Sequence, residues 1–327
     1  MLQAAPFHAD VADAPPGGAA YWARADDGVR LRLGAFPAER AQGTVLILPG
    51  RTEYIEKYAF AAKALAQRGL ASLIIDWRGQ GLSDRLLPDP VTGHVDFFAD
   101  YQRDVAAMVA VAEALDLPRP WHMLAHSMGG AIGLRAALSG LAVATCAFSG
   151  PMWGIRISAL LRPAAWTLGW ASRRLGFGHR YPPGQTADNY VLSEPFETNA
   201  LTNDAPMYLA MIEQITRYPA LSLGGPSLRW LHEALIECRD LARRPSPALP
   251  CLTLLGSAED IVDVPRIHDR MARWPHGHLE TLPGGRHEVL MDTPELRTHL
   301  FDMLAEFYRT GAATRPAAPA GAAPRGG

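Results

Sequence analysis

Three stretches of this chain carry residues that could together make a serine nucleophile, and the sharpest is Trp121-His122-Met123-Leu124-Ala125-His126-Ser127-Met128-Gly129-Gly130. Apolar residues lead in, a small residue stands two before Ser127, two glycines follow, and residues 131–138 are good helix formers. The pattern predicts a strand turning sharply into a helix with a serine at the corner. A serine hydroxyl is a poor nucleophile until it is held exposed beside a base and an oxyanion site. Ala125 and Gly129 are small enough for the strand and helix backbones to approach closely. Ala125 departs by one methyl group from the usual Gly-x-Ser-x-Gly.

Small-x-Ser-x-Gly also recurs by chance, so the rest of the chain must supply a base, an acid and oxyanion donors. The base belongs in a loop after the last strand, and Pro283-Gly284-Gly285-Arg286-His287-Glu288 follows the apolar end of such a strand. Of the 11 histidines, His287 alone combines that position with neighbouring glycines. His126 touches Ser127 in sequence, but neighbours across a tight turn diverge, so it reads as structural, as do His94, His122 and His268. The acid should follow the strand Cys251–Leu255, where Gly256-Ser257-Ala258-Glu259-Asp260-Ile261-Val262-Asp263 offers three carboxylates. The form Gly-x-x-acid-x-apolar-apolar selects Glu259, with Asp260 as the alternative, and Asp263 reads as a cap for the helix starting near Pro265. The order serine, acid, histidine is that of α/β-hydrolases.

A tetrahedral oxyanion needs two backbone donors. Met128, at the start of the helix after the nucleophile, supplies one N–H. The second is expected from the loop after Thr44–Leu48. In Pro49-Gly50-Arg51 the proline has no N–H, and Arg51 N–H is the expected donor. Its side chain has two readings, contact with an anionic head group or simple solvation.

The elements that must position these residues follow from the apolar pattern. Strand and helix alternate from a hairpin around Asp26-Asp27-Gly28 through residues 44–48, 55–68, 70–76, 100–115, 121–125, 128–139 and 142–148. That spacing predicts a mostly parallel sheet with helices on both faces. From residue 151 to about 244 the alternation stops in a stretch with four tryptophans, and it resumes at Cys251. The expected organisation is a loose arm over 1–18, a core over 19–150 and 245–309, a helical cap over 151–244 inserted after the sixth strand, and a disordered tail over 310–327. Such a cap lies above the carboxyl ends of the strands, where open α/β sheets place ligands.

The 327 residues are 48% hydrophobic and 20% charged, with a formal net charge of -2, which excludes global disorder and a strongly basic nucleic-acid surface. Lys57 and Lys63 are the only lysines. Cys146, Cys238 and Cys251 form no Cys-x-x-Cys pair and read as buried thiols. No signal-like N-terminus and no apolar run of about 18 residues stands out, so a cytoplasmic enzyme is expected.

Pro49-Gly50-Arg51, Asp76-Trp77-Arg78-Gly79-Gln80-Gly81-Leu82-Ser83, the Ser127 run and Gly285-Arg286-His287-Glu288 resemble the monoacylglycerol lipase and lysophospholipase group of α/β-hydrolases. Asn199-Ala200-Leu201-Thr202, Gly224-Gly225-Pro226-Ser227 and Arg266-Ile267-His268-Asp269-Arg270 extend the resemblance, towards the bacterial lysophospholipase subgroup, over about residues 20 to 309. It implies the α/β-hydrolase fold and hydrolysis of an acyl ester on a glycerol-based lipid through an acyl-enzyme, with Glu259 as the acid and no metal or organic cofactor. Pro49 departs from the histidine that monoacylglycerol lipases carry there, whereas the subgroup shares Ala125. Other readings are a monoacylglycerol lipase, a general carboxylesterase for short acyl esters, and a non-catalytic ligand receptor on the same fold.

Residues 155–174 interleave Ile157, Leu160, Leu161, Trp166, Leu168 and Trp170 with Arg156, Arg162, Arg173 and Arg174. They read first as packing the cap onto the core. The competing reading is transient contact with a membrane surface, which would make the enzyme peripheral at the inner face. Head group, acyl length and oligomeric state have no signature here.

Overall fold

The structure, a computed structural model, describes residues 2–158 and 160–312. In chain order the strands are β1 (Gln3–Ala5), β2 (Ala19–Arg24), β3 (Arg30–Phe36), β4 (Thr44–Leu48), β5 (Ala71–Asp76), β6 (Trp121–His126), β7 (Cys146–Ser149), β8 (Cys251–Gly256) and β9 (Gly277–Leu282). The helices are α1 (Ile55–Ala66), α2 (Tyr101–Ala114), α3 (Met128–Leu138), α4 (Arg162–Arg174), α5 (Tyr190–Ser193), α6 (Ala205–Arg217), α7 (Leu228–Arg243), α8 (Val264–Ala272) and α9 (Pro294–Thr310).

All nine strands form one sheet in the order β1-β2-β3-β5-β4-β6-β7-β8-β9, antiparallel through β3–β5 and parallel from β5 onward. Every residue of β4, β5, β6, β7 and β8 is buried, as a parallel sheet covered on both faces requires. One core holds Leu46, Met123, Ala125, Phe148 and Met108 of α2, and the other holds Ile47, Leu124, Leu254, Tyr58 of α1 and Phe301 of α9. This is the mostly parallel sheet with helices on both faces that the alternation predicted, and the α/β-hydrolase fold that the resemblance implied. The three cysteines are free and buried.

Two expectations change. β1 was not foreseen, because Gln3-Ala4-Ala5 is short and lacks β-branched residues, so the helical stretch enters after the seventh strand rather than the sixth. The arm over 1–18 is not loose in its described part. β1 pairs with β2, Phe7 packs edge-on against Phe36 at 5.4 Å, and the His8 ring stacks on Tyr218 just beyond α6 at 3.5 Å. Composition alone could not reveal these partners, which lie far along the chain. The tail expected to be disordered lies outside the described residues beyond Ala312.

Between β7 and β8 the chain forms α4 to α7. No helix among the described residues is long and apolar enough to cross a membrane.

Candidate active site

β6 ends at His126 and α3 begins at Met128, so Ser127 alone turns the chain. It does so at φ 49° and ψ -117°, a conformation that costs a non-glycine residue on the order of 1–3 kcal/mol. Three backbone bonds hold it there. Ser127 N–H donates to Ser149 O at 3.1 Å, and Ser127 O accepts from Gly130 and Met152 N–H, both at 2.8 Å. Position 129 must be glycine, since a Cβ there would collide with the Leu48 and Pro49 carbonyl oxygens. Ala125 is tolerated in place of glycine because its methyl group faces Gly133 of α3.

The structure brings together the three residues expected from separate loops. His287 Nε2 lies 2.9 Å from Ser127 Oγ, and His287 Nδ1 lies 2.7 Å from Glu259 Oε2. The other Glu259 oxygen accepts from Ile261 N–H at 2.7 Å and Val262 N–H at 3.2 Å. Burial pushes the Glu259 carboxyl up, but His287 and these two N–H groups outweigh it and hold the group below its ordinary range. Asp260 points outward and pairs with Arg156, away from His287. Asp263 occupies the N-cap position of α8 yet makes no side-chain capping bond. The expected cap is absent because its carboxylate turns towards Arg162, 3.6 Å away.

The His287 loop is pinned by the 199–202 segment. His287 N–H donates to Ala200 O at 3.3 Å, Glu288 N–H to Leu201 O at 2.8 Å, and Arg286 Nη1 to Asn199 O at 2.6 Å. The segment quoted above for its resemblance therefore orients the base.

Met128, as the first residue of α3, and Arg51, in the turn after β4, each keep a backbone N–H with no acceptor among the described residues. Gly50 N–H is not available, because it donates to Glu53 Oε2. Arg51 and Ser127 line one cleft of about 300 Å³, whose apolar wall includes Val191, Leu201, Met211 and Ile215. α5 and α6 thus supply the cleft wall, and α4 does not. Asp76 and Arg78 brace the neighbouring loop: Asp76 accepts from Arg32, Ile55 N–H and Leu82 N–H, and Arg78 pairs with Asp104 and Asp27.

A second polar cluster at the cleft floor was missed. Lys57 Nζ sits 2.5 Å from Glu53 Oε1 and 2.6 Å from Glu288 Oε1, and His126 Nε2 lies 3.3 Å from the same Glu288 oxygen. The His126 and His287 rings are 4.7 Å apart. Burial opposes a charge on His126, but Glu288 and Glu53 outweigh it and raise its pKa. Burial likewise opposes ionisation of Glu288, and His126 and Lys57 reverse that to hold it well below the usual range. Glu53, His126 and Glu288 bring three possible ligand atoms within 4.8 Å of one another. Lys57 already contributes the cation between the two carboxylates. The one available sequence signal was the rarity of lysine.

The family described as serine aminopeptidase, S33 (Hydrolase_4) matches residues 39–294. Lysophospholipase L2 of Escherichia coli (strain K12) is 33% identical, over 86% of this chain and 85% of its own length. A probable lysophospholipase L2 of Haemophilus influenzae is 29% identical over 83% and 85%. Among solved structures, a soluble variant of monoglyceride lipase from Saccharomyces cerevisiae with a substrate analog has a TM-score of 0.68 at 18% identity, covering 96% of both chains. A monoacylglycerol lipase of Paleococcus ferrophilus has a TM-score of 0.64 at 17% identity, covering 86% of this chain and 99% of that one. At such identities these likenesses speak for the fold.

Proposed function

Because this chain belongs to the serine aminopeptidase S33 (Hydrolase_4) family, we propose that Ser127, His287 and Glu259 are its catalytic serine, base and acid. The protein is a serine ester hydrolase of lipid acyl esters, lysophospholipase-like in its relatives. The observation that carries the assignment is the continuous Ser127–His287–Glu259 hydrogen-bonded chain opening on a cleft with an apolar wall.

Ser127 Oγ attacks the ester carbonyl while His287 Nε2 takes its proton, and Glu259 holds the imidazole and stabilises its charged form. The Arg51 and Met128 N–H groups receive the oxyanion. His287 then protonates the leaving alcohol, and water, activated by the same histidine, releases the fatty acid. A peptidase reading taken from the family's description would need a free carboxylate for the substrate's ammonium group. Glu53 and Glu288 are already answered by Lys57 and His126.

Exposed Leu160, Leu161, Trp170 and Leu175 lie near Arg162, Arg173 and Arg174, and this supports transient docking of α4 on an anionic membrane surface. With the unpaired thiols we place the enzyme in the cytoplasm, peripheral at the inner face. Loss of flotation with anionic vesicles in a Leu160→Asp, Trp170→Asp, Leu175→Asp variant is the expected outcome.

Turnover of 1-acyl lysophospholipid, monoacylglycerol and short-chain p-nitrophenyl ester tests the lipid reading. Long acyl lipids should be preferred at least tenfold in kcat/KM. Preference for the short ester would make the enzyme a general carboxylesterase, and no turnover of any ester would favour a ligand receptor.

A further inference from the structure

Arg51 lines the cleft, and no carboxylate answers its guanidinium. Its Nη1 donates to the Gly224 carbonyl at 2.7 Å, and Cζ lies 5.8 Å from the Trp230 ring. No carboxylate among the described residues forms an ion pair with it. The buried Arg32 and Arg78, by contrast, face carboxylates: Glu56 and Asp76 for one, Asp27, Asp100 and Asp104 for the other. Burial lowers the Arg51 pKa to about 10, so the group is charged at neutral pH. The other charged side chains lining the cleft, Glu53, Lys57, His126 and Glu288, are paired among themselves. Arg51 is therefore the cleft's uncompensated charge.

Its surroundings differ from those of the cleft's apolar wall. Val191, Met211 and Ile215 pack with Tyr54 and Tyr58 in one core, whereas Trp230, beside the guanidinium, belongs to the other. An acyl chain fits the apolar wall, and an anionic group fits the guanidinium. In a 1-acyl glycerophospholipid six covalent bonds join the ester carbon to phosphorus, about 7 Å when extended. An arginine side chain spans a similar distance from its own backbone, and the Arg51 N–H is the proposed oxyanion donor.

We propose that the Arg51 guanidinium is a head-group subsite for the phosphodiester of a lysophospholipid, selecting phosphate-bearing over neutral glycerol lipids. The inference rests on the lipid-esterase reading above and specifies its substrate class. A guanidinium suits this task because it donates two parallel, charge-assisted bonds to phosphate oxygens.

The test is the ratio of kcat/KM for 1-palmitoyl lysophosphatidylglycerol to that for 1-palmitoylglycerol, in wild type, Arg51→Met and Arg51→Lys. The ratio should fall about 10- to 100-fold in Arg51→Met, chiefly through KM for the phospholipid, and recover in part in Arg51→Lys. sn-Glycerol 3-phosphate should inhibit wild-type hydrolysis of a neutral p-nitrophenyl ester and inhibit Arg51→Met at least tenfold more weakly. An unchanged ratio in Arg51→Met, even with both rates lowered, would overturn the subsite and leave the lipid-esterase reading standing. Turnover of neither lipid by wild type would overturn both.

Discussion

Two clusters that each set a histidine against glutamate sit side by side at the cleft, and sequence neighbours are divided between them. His126–Ser127 and His287–Glu288 each send one member to the Ser127–His287–Glu259 chain and the other to the Glu53–Lys57–His126–Glu288 group. In the first, Ser127 is half-buried and strained, and two nearby N–H groups have no acceptor. In the second, all four side chains are buried and every charge has an opposite partner. Chemistry at neutral pH needs open valences facing the substrate. A scaffold needs them closed. Residue type does not separate the two roles; exposure to the cleft and completeness of pairing do.

Mutations should split along that line. Ser127→Ala should lower kcat by about 10⁴-fold or more and leave the urea unfolding midpoint within error, whereas Lys57→Met should do its main damage to stability. Removing the ammonium leaves two buried carboxylates facing each other, and the expected cost is about 3–5 kcal/mol, read from urea unfolding. A Lys57→Met protein as stable as wild type would break the comparison.

Within the first cluster, Glu259→Gln should reduce kcat by about 10²- to 10⁴-fold. Asp260→Asn, on an exposed side chain, should remain within about twofold, since surface changes of this kind perturb little. Equal losses in the two variants would reopen the acid assignment.

The smallest expected effect is on pH dependence, and its sign differs between the clusters. Glu259 has a folded-state pKa below its unfolded value, so its contribution to stability is present above the ordinary carboxylate range and is lost as pH falls through the folded value. His126 is raised, so its contribution is complete below the unfolded imidazole pKa and is lost as pH rises through the folded value. Unfolding midpoints measured from pH 3 to 9 should show a shallower acid limb in Glu259→Gln and a shallower alkaline limb in His126→Asn.

The first cluster was legible in the sequence because each member stands just past the end of a predicted strand. Position along a strand is a local property, and apolar runs such as Thr44–Leu48 and Cys251–Leu255 mark it. Glu259 could be preferred over Asp260 by the form of its loop, though only the fold shows Asp260 turning to Arg156. The second cluster was not legible. Glu53 and Lys57 meet Glu288 across 231 or more positions of chain, and nothing local says that an exposed-looking lysine is buried. His126 was read as structural, which agrees with its burial, but its partners were invisible. The same limit hid the docking of the N-terminal arm, whose contacts His8–Tyr218 and Phe7–Phe36 are made at a distance.

The central claim is that Ser127 carries the acyl group. Labelling wild type with a fluorophosphonate ester and mapping the adduct by peptide mass spectrometry tests it most directly. The account predicts one adduct, on Ser127, formed in step with loss of ester hydrolysis and absent from Ser127→Ala. An adduct on another residue with the same loss of activity, or undiminished ester hydrolysis by Ser127→Ala, would contradict it.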